Sequence, residues 1–197
     1  MTASARRPLI AVVLASATLA AGCLGGSAQT RFYVLAPAEM AAVATPALTV
    51  GLGPVGVAGY LDRPQIVTRP AADKIDLGEF DQWGEPLRSG ISRVLAEDLA
   101  RQMPSARIAV FPWRGLDQIR YQVVVDVTRL DGPTGGDLAL EARWRIVDGA
   151  GKEIAVKTTR LTEPTGSPGY SATVSAMSRA LARLSRDIAQ ALATLPQ

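Results

Sequence analysis

The chain contains no histidine and only one cysteine among its 197 residues. Without histidine it lacks the commonest metal ligand and the commonest general base. Metal sites built from His and Cys are therefore excluded, as are Ser-His-Asp and Cys-His machinery. A single thiol, Cys23, cannot close an internal disulfide. Aromatic residues are also few, with three Phe, four Tyr and three Trp to line any large apolar cavity. Lysine occurs only at positions 74, 152 and 157, so the basic residues are mostly Arg, and they form no concentrated basic face of the kind a nucleic acid requires. Gly51, Gly53, Gly56 and Gly59 match neither nucleotide-binding spacing, and no repeat or low-complexity tract is present. The one long apolar run, Leu9 to Ala21, is about a dozen residues, short of the roughly 20 that span a bilayer.

That run has a different use. Arg6 and Arg7 precede it, and Leu19-Ala20-Ala21-Gly22-Cys23 follows, giving a charged start, an apolar stretch of secretory length and a small-residue cleavage site. With Cys directly after the cut, the pattern resembles a bacterial lipoprotein signal, although Ala20 stands where Leu is usual. Such a Cys is diacylated on sulfur, palmitate being a typical chain, and acylated again at the new amino terminus. Residues 1–22 are thus expected to be a signal peptide and 23–30 a lipidated tether, with lipidation at Cys23. Leu24, rather than Asp, follows the Cys, which by resemblance to enterobacterial sorting implies the outer membrane. Cleavage leaves 175 residues, enough for one domain with a real core. Both leader arginines are lost, so nineteen basic residues face eighteen acidic ones and the mature charge is near zero.

Within residues 31–197 the periodicity predicts a single α+β domain: a mixed, largely antiparallel sheet with two main helices packed on one face. Strands are expected over 31–35, 47–57 with a kink at Gly53-Pro54, 65–69 and 107–111, with Lys74 to Leu77 as a short extended piece and hairpin partner. Phe80 to Pro86 reads as the lead into a helix over 85–103. Its apolar face is Leu87, Ile91, Val94, Leu95 and Leu99. Residues 38–46 read as loop or a weak helical turn. A meander follows. Tyr121, Val123, Val125 and Val127 share one face of its first strand, and Leu138, Leu140, Ala142, Trp144 and Ile146 one face of its second. The third, 152–161, is expected to turn Ile154 and Val156 inward. Ser171 is the expected cap of a last helix to about Leu195, striped by Val174, Met177, Leu181, Leu184, Ile188 and Leu195.

Asp62-Arg63-Pro64 reads by itself as a turn before a strand, Trp83 as a staple over the helix entry and Asp126 as part of a solvated sheet face. No pairing of carboxylates with a nucleophile is visible, so no catalytic residue, cofactor or metal is expected.

The order of features carries a resemblance. Arg31-Phe32-Tyr33-Val34-Leu35 is followed by Val50 to Val55, then Gly59-Tyr60-Leu61-Asp62-Arg63-Pro64-Gln65-Ile66-Val67, then Phe80-Asp81-Gln82-Trp83-Gly84-Glu85-Pro86-Leu87. In this order, behind a lipobox, they resemble the PqiC/YmbA family of auxiliary lipoproteins of ABC-type and Mce-domain lipid transport systems. Gly84 stands where that family often has Ala. The resemblance implies a non-enzymatic, lipid-anchored protein of the outer membrane facing the periplasm. It would dock an Mce-domain protein that works with an ABC permease and ATPase. Phospholipid and further copies of the chain are compatible partners; nucleic acid is not. Tyr60, Asp62, Arg63 and Trp83, in its two most specific stretches, are the candidate partner contacts. The alternative is a periplasmic lipid-binding carrier or chaperone lipoprotein, with the apolar crevice between sheet and helices as its site.

Overall fold

The computed structural model describes residues 28–113 and 119–196. Cys23, the signal peptide and the first part of the tether lie outside the described residues. Among the described residues eight strands and two helices follow in the order β1 (Arg31–Tyr33), β2 (Thr49–Val57), β3 (Gln65–Ala71), β4 (Lys74–Trp83), α1 (Leu87–Gln102), β5 (Arg107–Val110), β6 (Tyr121–Asp131), β7 (Asp137–Asp148), β8 (Glu153–Pro164) and α2 (Tyr170–Ala193). Among the described residues no helix is long and apolar enough to cross a membrane.

The α+β expectation holds, and the strands divide between two sheets. The larger has the order β5-β2-β6-β7-β8, the smaller β1-β4-β3. The long pairings, β6 with β7 and β7 with β8, are antiparallel. The shorter pairings of β2 with β5, β2 with β6 and β1 with β4 are parallel. Both helices lie against the larger sheet and against each other. The period-two faces of β6 and β7 meet them, with Val123, Val127, Leu140 and Ile146 fully buried opposite Ile91, Val94, Leu181 and Leu184. Val50, Leu52 and Val55 complete the same layer from β2.

The kink at Gly53-Pro54 is a register shift between Leu52 and Val55. A proline inside a central strand removes a ladder donor, and a bulge is where that loss is tolerated. Gly53 has φ +120°, and its carbonyl accepts from Gln122 Nε2 at 2.8 Å.

Three expectations need correction. Phe80 to Trp83 is not a helix lead: β4 runs ten residues, from Lys74 to Trp83, so the hairpin with β3 is far longer than Lys74 to Leu77 suggested. In β8 the facing is opposite to that expected. Ile154 and Val156 are 39% and 42% exposed, and Ala155, Thr159 and Leu161 turn toward the helices. The antiparallel ladder sets Thr159 opposite Ala142 and Leu161 opposite Leu140, and a one-residue change of phase exchanges the faces of the whole strand. Finally, α2 is capped by Gly169, whose carbonyl accepts from Thr173 N and Oγ1, while Ser171 lies within the first turn.

Residues 34–46 form an irregular strap across the two helices. Ala36 N donates to Ser178 Oγ and Ala38 N to Asp98 Oδ1, both at 3.1 Å, and Val43 N donates to Gln102 O at 2.6 Å. Arg186 Nη1 reaches the Ala41 carbonyl at 3.2 Å.

Candidate functional site

The turn Ala58–Pro64 and the end of β4 meet at the start of α1. Trp83 N donates to the Pro64 carbonyl at 2.7 Å, which fixes the Asp62-Arg63-Pro64 turn beside the Trp83-Gly84-Glu85-Pro86 corner. Between them is a cavity of about 420 Å³ lined by Asp62, Arg63, Trp83, Glu85 and Leu87. Three of the four candidate residues, Asp62, Arg63 and Trp83, are therefore brought together. Trp83 is buried in the core cluster and forms the cavity floor, more than the entry staple its position suggested.

Ion pairs fix the rim. Arg88 Nη2 donates to Asp62 Oδ2 at 2.9 Å. Arg93 Nη2 donates to Glu85 Oε1 at 2.6 Å and to the Leu35 carbonyl at 2.9 Å, and Arg93 Nη1 reaches Glu97 at 3.3 Å. These pairs are half-exposed, so each contributes little to stability. Their effect is to orient the side chains along α1. Arg63 Nε is buried and has no hydrogen-bond partner among the described residues. Beyond Arg88 a second cavity, of about 600 Å³, continues along α1 to β5, with Val110 and Phe111 exposed on its far wall. This second cavity has charged Arg88, Arg93 and Glu97 on its helix side and apolar Val55, Val110 and Phe111 on its strand side, and the Arg88–Asp62 ion pair joins a lining residue of each cavity.

Tyr60 does not join this site. Its hydroxyl donates to Asp131 Oδ2 at 2.5 Å, on the other side of β3. Asp131 is fully buried, and its Oδ1 accepts from Arg69 Nε at 2.9 Å and Arg129 Nε at 3.0 Å. The Arg69 guanidinium also stacks 5.1 Å from the Tyr60 ring centre. Burial, then the bond to Asp131, pushes the Tyr60 hydroxyl up to about 12, and the bond to Asp131 raises Arg69. This cluster ties the smaller sheet to the larger one.

Two further carboxylates were not legible as special. Asp81, buried on β4, accepts Arg31 Nε and Nη2 at 2.8 and 2.7 Å and the Tyr33 hydroxyl at 2.8 Å. The Arg31 bonds hold its carboxyl below the usual range, against the opposing effect of burial. Burial and the bond to Asp81 raise Tyr33. Arg31 and Tyr33 at i and i+2 point to one face of β1, and that spacing was the available signal for a shared partner. Asp98 is fully buried on α1, with Oδ1 bonded to the strap and Oδ2 unpartnered. Desolvation pushes it up to about 7, only partly offset by the Ala38 N–H. Asp126 stays exposed on the outer sheet face.

Chemically, Asp81 and Asp131 are each occupied by arginine and tyrosine donors. Among the described residues no cluster of Asp, Glu, Cys or His has metal-ligand geometry. Open toward solvent are the two cavities along α1, one of about 550 Å³ beside Tyr60, Arg69, Arg129 and Glu141, and one of about 410 Å³ beside Lys157 and Asp187.

Comparison with known proteins bears on most of the chain. The family model described as "ABC-type transport auxiliary lipoprotein component" matches residues 33–189. No curated protein sequence matches. Among solved structures, one titled only as an uncharacterized protein superposes with a TM-score of 0.71 at 21% identity, covering 84% of this chain and 99% of its own. Protein XCC0632 from Xanthomonas campestris superposes with a TM-score of 0.69 at 16% identity, covering 83% and 95%. At these identities the structural likeness speaks for the fold alone.

Proposed function

The chain belongs to the family of ABC-type transport auxiliary lipoproteins, and on that premise we propose that it is a non-enzymatic subunit of an ABC/Mce-type intermembrane lipid transport system. Acyl chains on Cys23 hold it to the outer membrane, facing the periplasm, where it docks the Mce-domain component. Two or three acyl chains suffice for stable anchoring where one does not.

The observation that carries the docking role is the pair of cavities along α1. Asp62, Arg63 and Trp83 line the first cavity, and Val110 and Phe111 are exposed on the wall of the neighbouring one. The buried Arg63 Nε has no hydrogen-bond partner among the described residues. An aromatic floor, an arginine and a rim of oriented charges are what protein-docking sites concentrate. The absence of histidine and the full occupation of Asp81 and Asp131 favour a non-catalytic role.

The carrier alternative needs a large apolar cavity. The space between the larger sheet and the helices is filled by fully buried side chains, among them Trp144, Leu140, Ile91 and Leu95, which favours docking over carriage.

Site-specific photocrosslinking in cells tests the docking role. A photoreactive residue at Arg63 or Phe111 should capture an Mce-domain chain identified by mass, and one at Arg160, on the outer sheet face, should not. Capture from Arg160 alone, or no Mce-domain adduct from Arg63 and Phe111, would reject it.

A further inference from the structure

The smaller sheet exposes apolar side chains at the point where the chain leaves its tether. Phe32 is 67% exposed, Val34 56% and Phe80 37%. Alternation sets Tyr33, Asp81 and Trp83 on the inner face, so Phe32, Val34, Phe80 and the intervening Gln82 share the outer one. Phe32 and Val34 both close over Gly84, where an added Cβ would lie 3.2 Å from Val34 Cγ1 and 4.0 Å from Phe32 Cβ. A side chain at Gly84 would press on Val34 and do no more than touch Phe32. The polar members of this patch are the neutral Gln82 and, directly opposite it on β3, the neutral Gln65. The nearest buried acid, Asp81, faces the other way and is bound by Arg31.

We infer that this patch is a membrane-contact surface, seated on the lipid interface by the tether. The inference rests on the reading of Cys23 as the acylated residue. Seven residues, 24–30, lie between Cys23 and Arg31, and the eight Cα steps reach at most about 28 Å fully extended. The patch begins at the very next residue, so the anchor keeps it near lipid at high effective concentration. Its size points the same way. Two phenylalanines of at most roughly 200 Å² each and one valine fall well short of the roughly 800 Å² per partner that a stable protein interface buries. They suffice to insert rings at a headgroup boundary, since the acyl chains already supply retention. The patch therefore sets orientation: the smaller sheet lies on the membrane and the cavities along α1 are left for a periplasmic partner.

The acylated full chain allows a direct test, because Cys23 leaves no free thiol once modified. The substitutions Phe32→Cys, Phe80→Cys and, as control, Ile154→Cys, at a position about as exposed as Phe80, each take an environment-sensitive fluorophore. The proteins are reconstituted into vesicles of phosphatidylethanolamine and phosphatidylglycerol. Probes at 32 and 80 should shift to the blue with a severalfold rise in emission, and the probe at 154 should not. An acylated, vesicle-bound chain whose probes at 32 and 80 stay as water-exposed as at 154 overturns the inference and leaves the lipoprotein reading intact. A shift that follows protein density rather than lipid assigns the patch to a second copy and also overturns it. The intact mass of the mature chain judges the anchor separately, and a chain without acyl groups removes both readings.

Discussion

Asp131, at the end of β6, binds Tyr60, a residue 71 positions earlier in the chain, through a 2.5 Å hydrogen bond from the tyrosine hydroxyl. The same carboxylate holds Arg69 and Arg129, so it is one buried charge with three donors. Removing a partner from a buried charge costs more than the pair contributes when complete, because the remaining charges lose both water and counter-ion.

Asp131→Ala should therefore destabilise the fold by about 3–5 kcal/mol, read from urea unfolding at constant m-value. Tyr60→Phe removes one charge-assisted bond and should cost about 1.5–3 kcal/mol. The double variant should cost less than the sum of the two, since both act on one carboxylate. Strict additivity would refute the single-cluster account.

Asp98 gives a pH dependence of unusual sign. Its folded value, about 7, lies above its ordinary value, so between roughly pH 4 and 7 the folded chain holds a proton that the unfolded chain releases. Its contribution is present below the ordinary value and is lost as pH rises toward 7. Asp98→Asn should abolish this slope and make the protein more stable than the parent at pH 8, by on the order of 2–4 kcal/mol. Denaturation midpoints measured across this window decide the matter; an unchanged slope in the variant would count against it.

Asp81 acts in the opposite direction. The Arg31 bonds lower its folded value, so its stabilisation is present above the ordinary carboxylate range and is lost as pH falls through the folded value. With only three residues, β1 depends on this contact. Asp81→Asn should release β1 from β4, seen as faster amide exchange at Arg31 to Tyr33 with α2 unaffected.

Trp144 is the largest fully buried side chain, and its Nε1–H donates to Thr159 Oγ1 at 3.1 Å, which in turn donates to Asp187 Oδ2 at 2.8 Å. Trp144→Ala should cost about 3–5 kcal/mol through the cavity it leaves. Trp144→Phe keeps most of the apolar volume and should lose nearer 1–2 kcal/mol, for the smaller ring and the missing donor. Equal losses in the two variants would show that packing at this site is not limiting.

Much of this architecture was written in periodicity. The alternation in β6 and β7 and the stripes of α1 and α2 identified their buried faces without coordinates, because a side chain's facing depends only on its position along a regular backbone. Where that pattern was weak the reading failed. In β8, Ile154 and Val156 look like inward residues, but the ladder with β7 places Thr159 and Leu161 there instead. Phe80 to Trp83 carries too little alternation to separate a strand end from a helix entry. Of the candidate site residues, Asp62 and Arg63, on the turn before β3, meet Trp83 at the end of β4. Tyr60 precedes Asp62 by two residues yet belongs to a different cluster.

Local chemistry in the sequence thus determined the lipobox-like leader, the exclusion of histidine chemistry, the two helices and the facing of the central strands. Each follows from residue type and short-range spacing. The tertiary structure alone decided that the strands divide into two sheets, that Asp81, Asp98 and Asp131 are buried, and that Phe32, Val34 and Phe80 share an exposed face. Those facts depend on contacts between segments far apart in the chain, and burial of a charge is set by what folds over it, which no local pattern encodes.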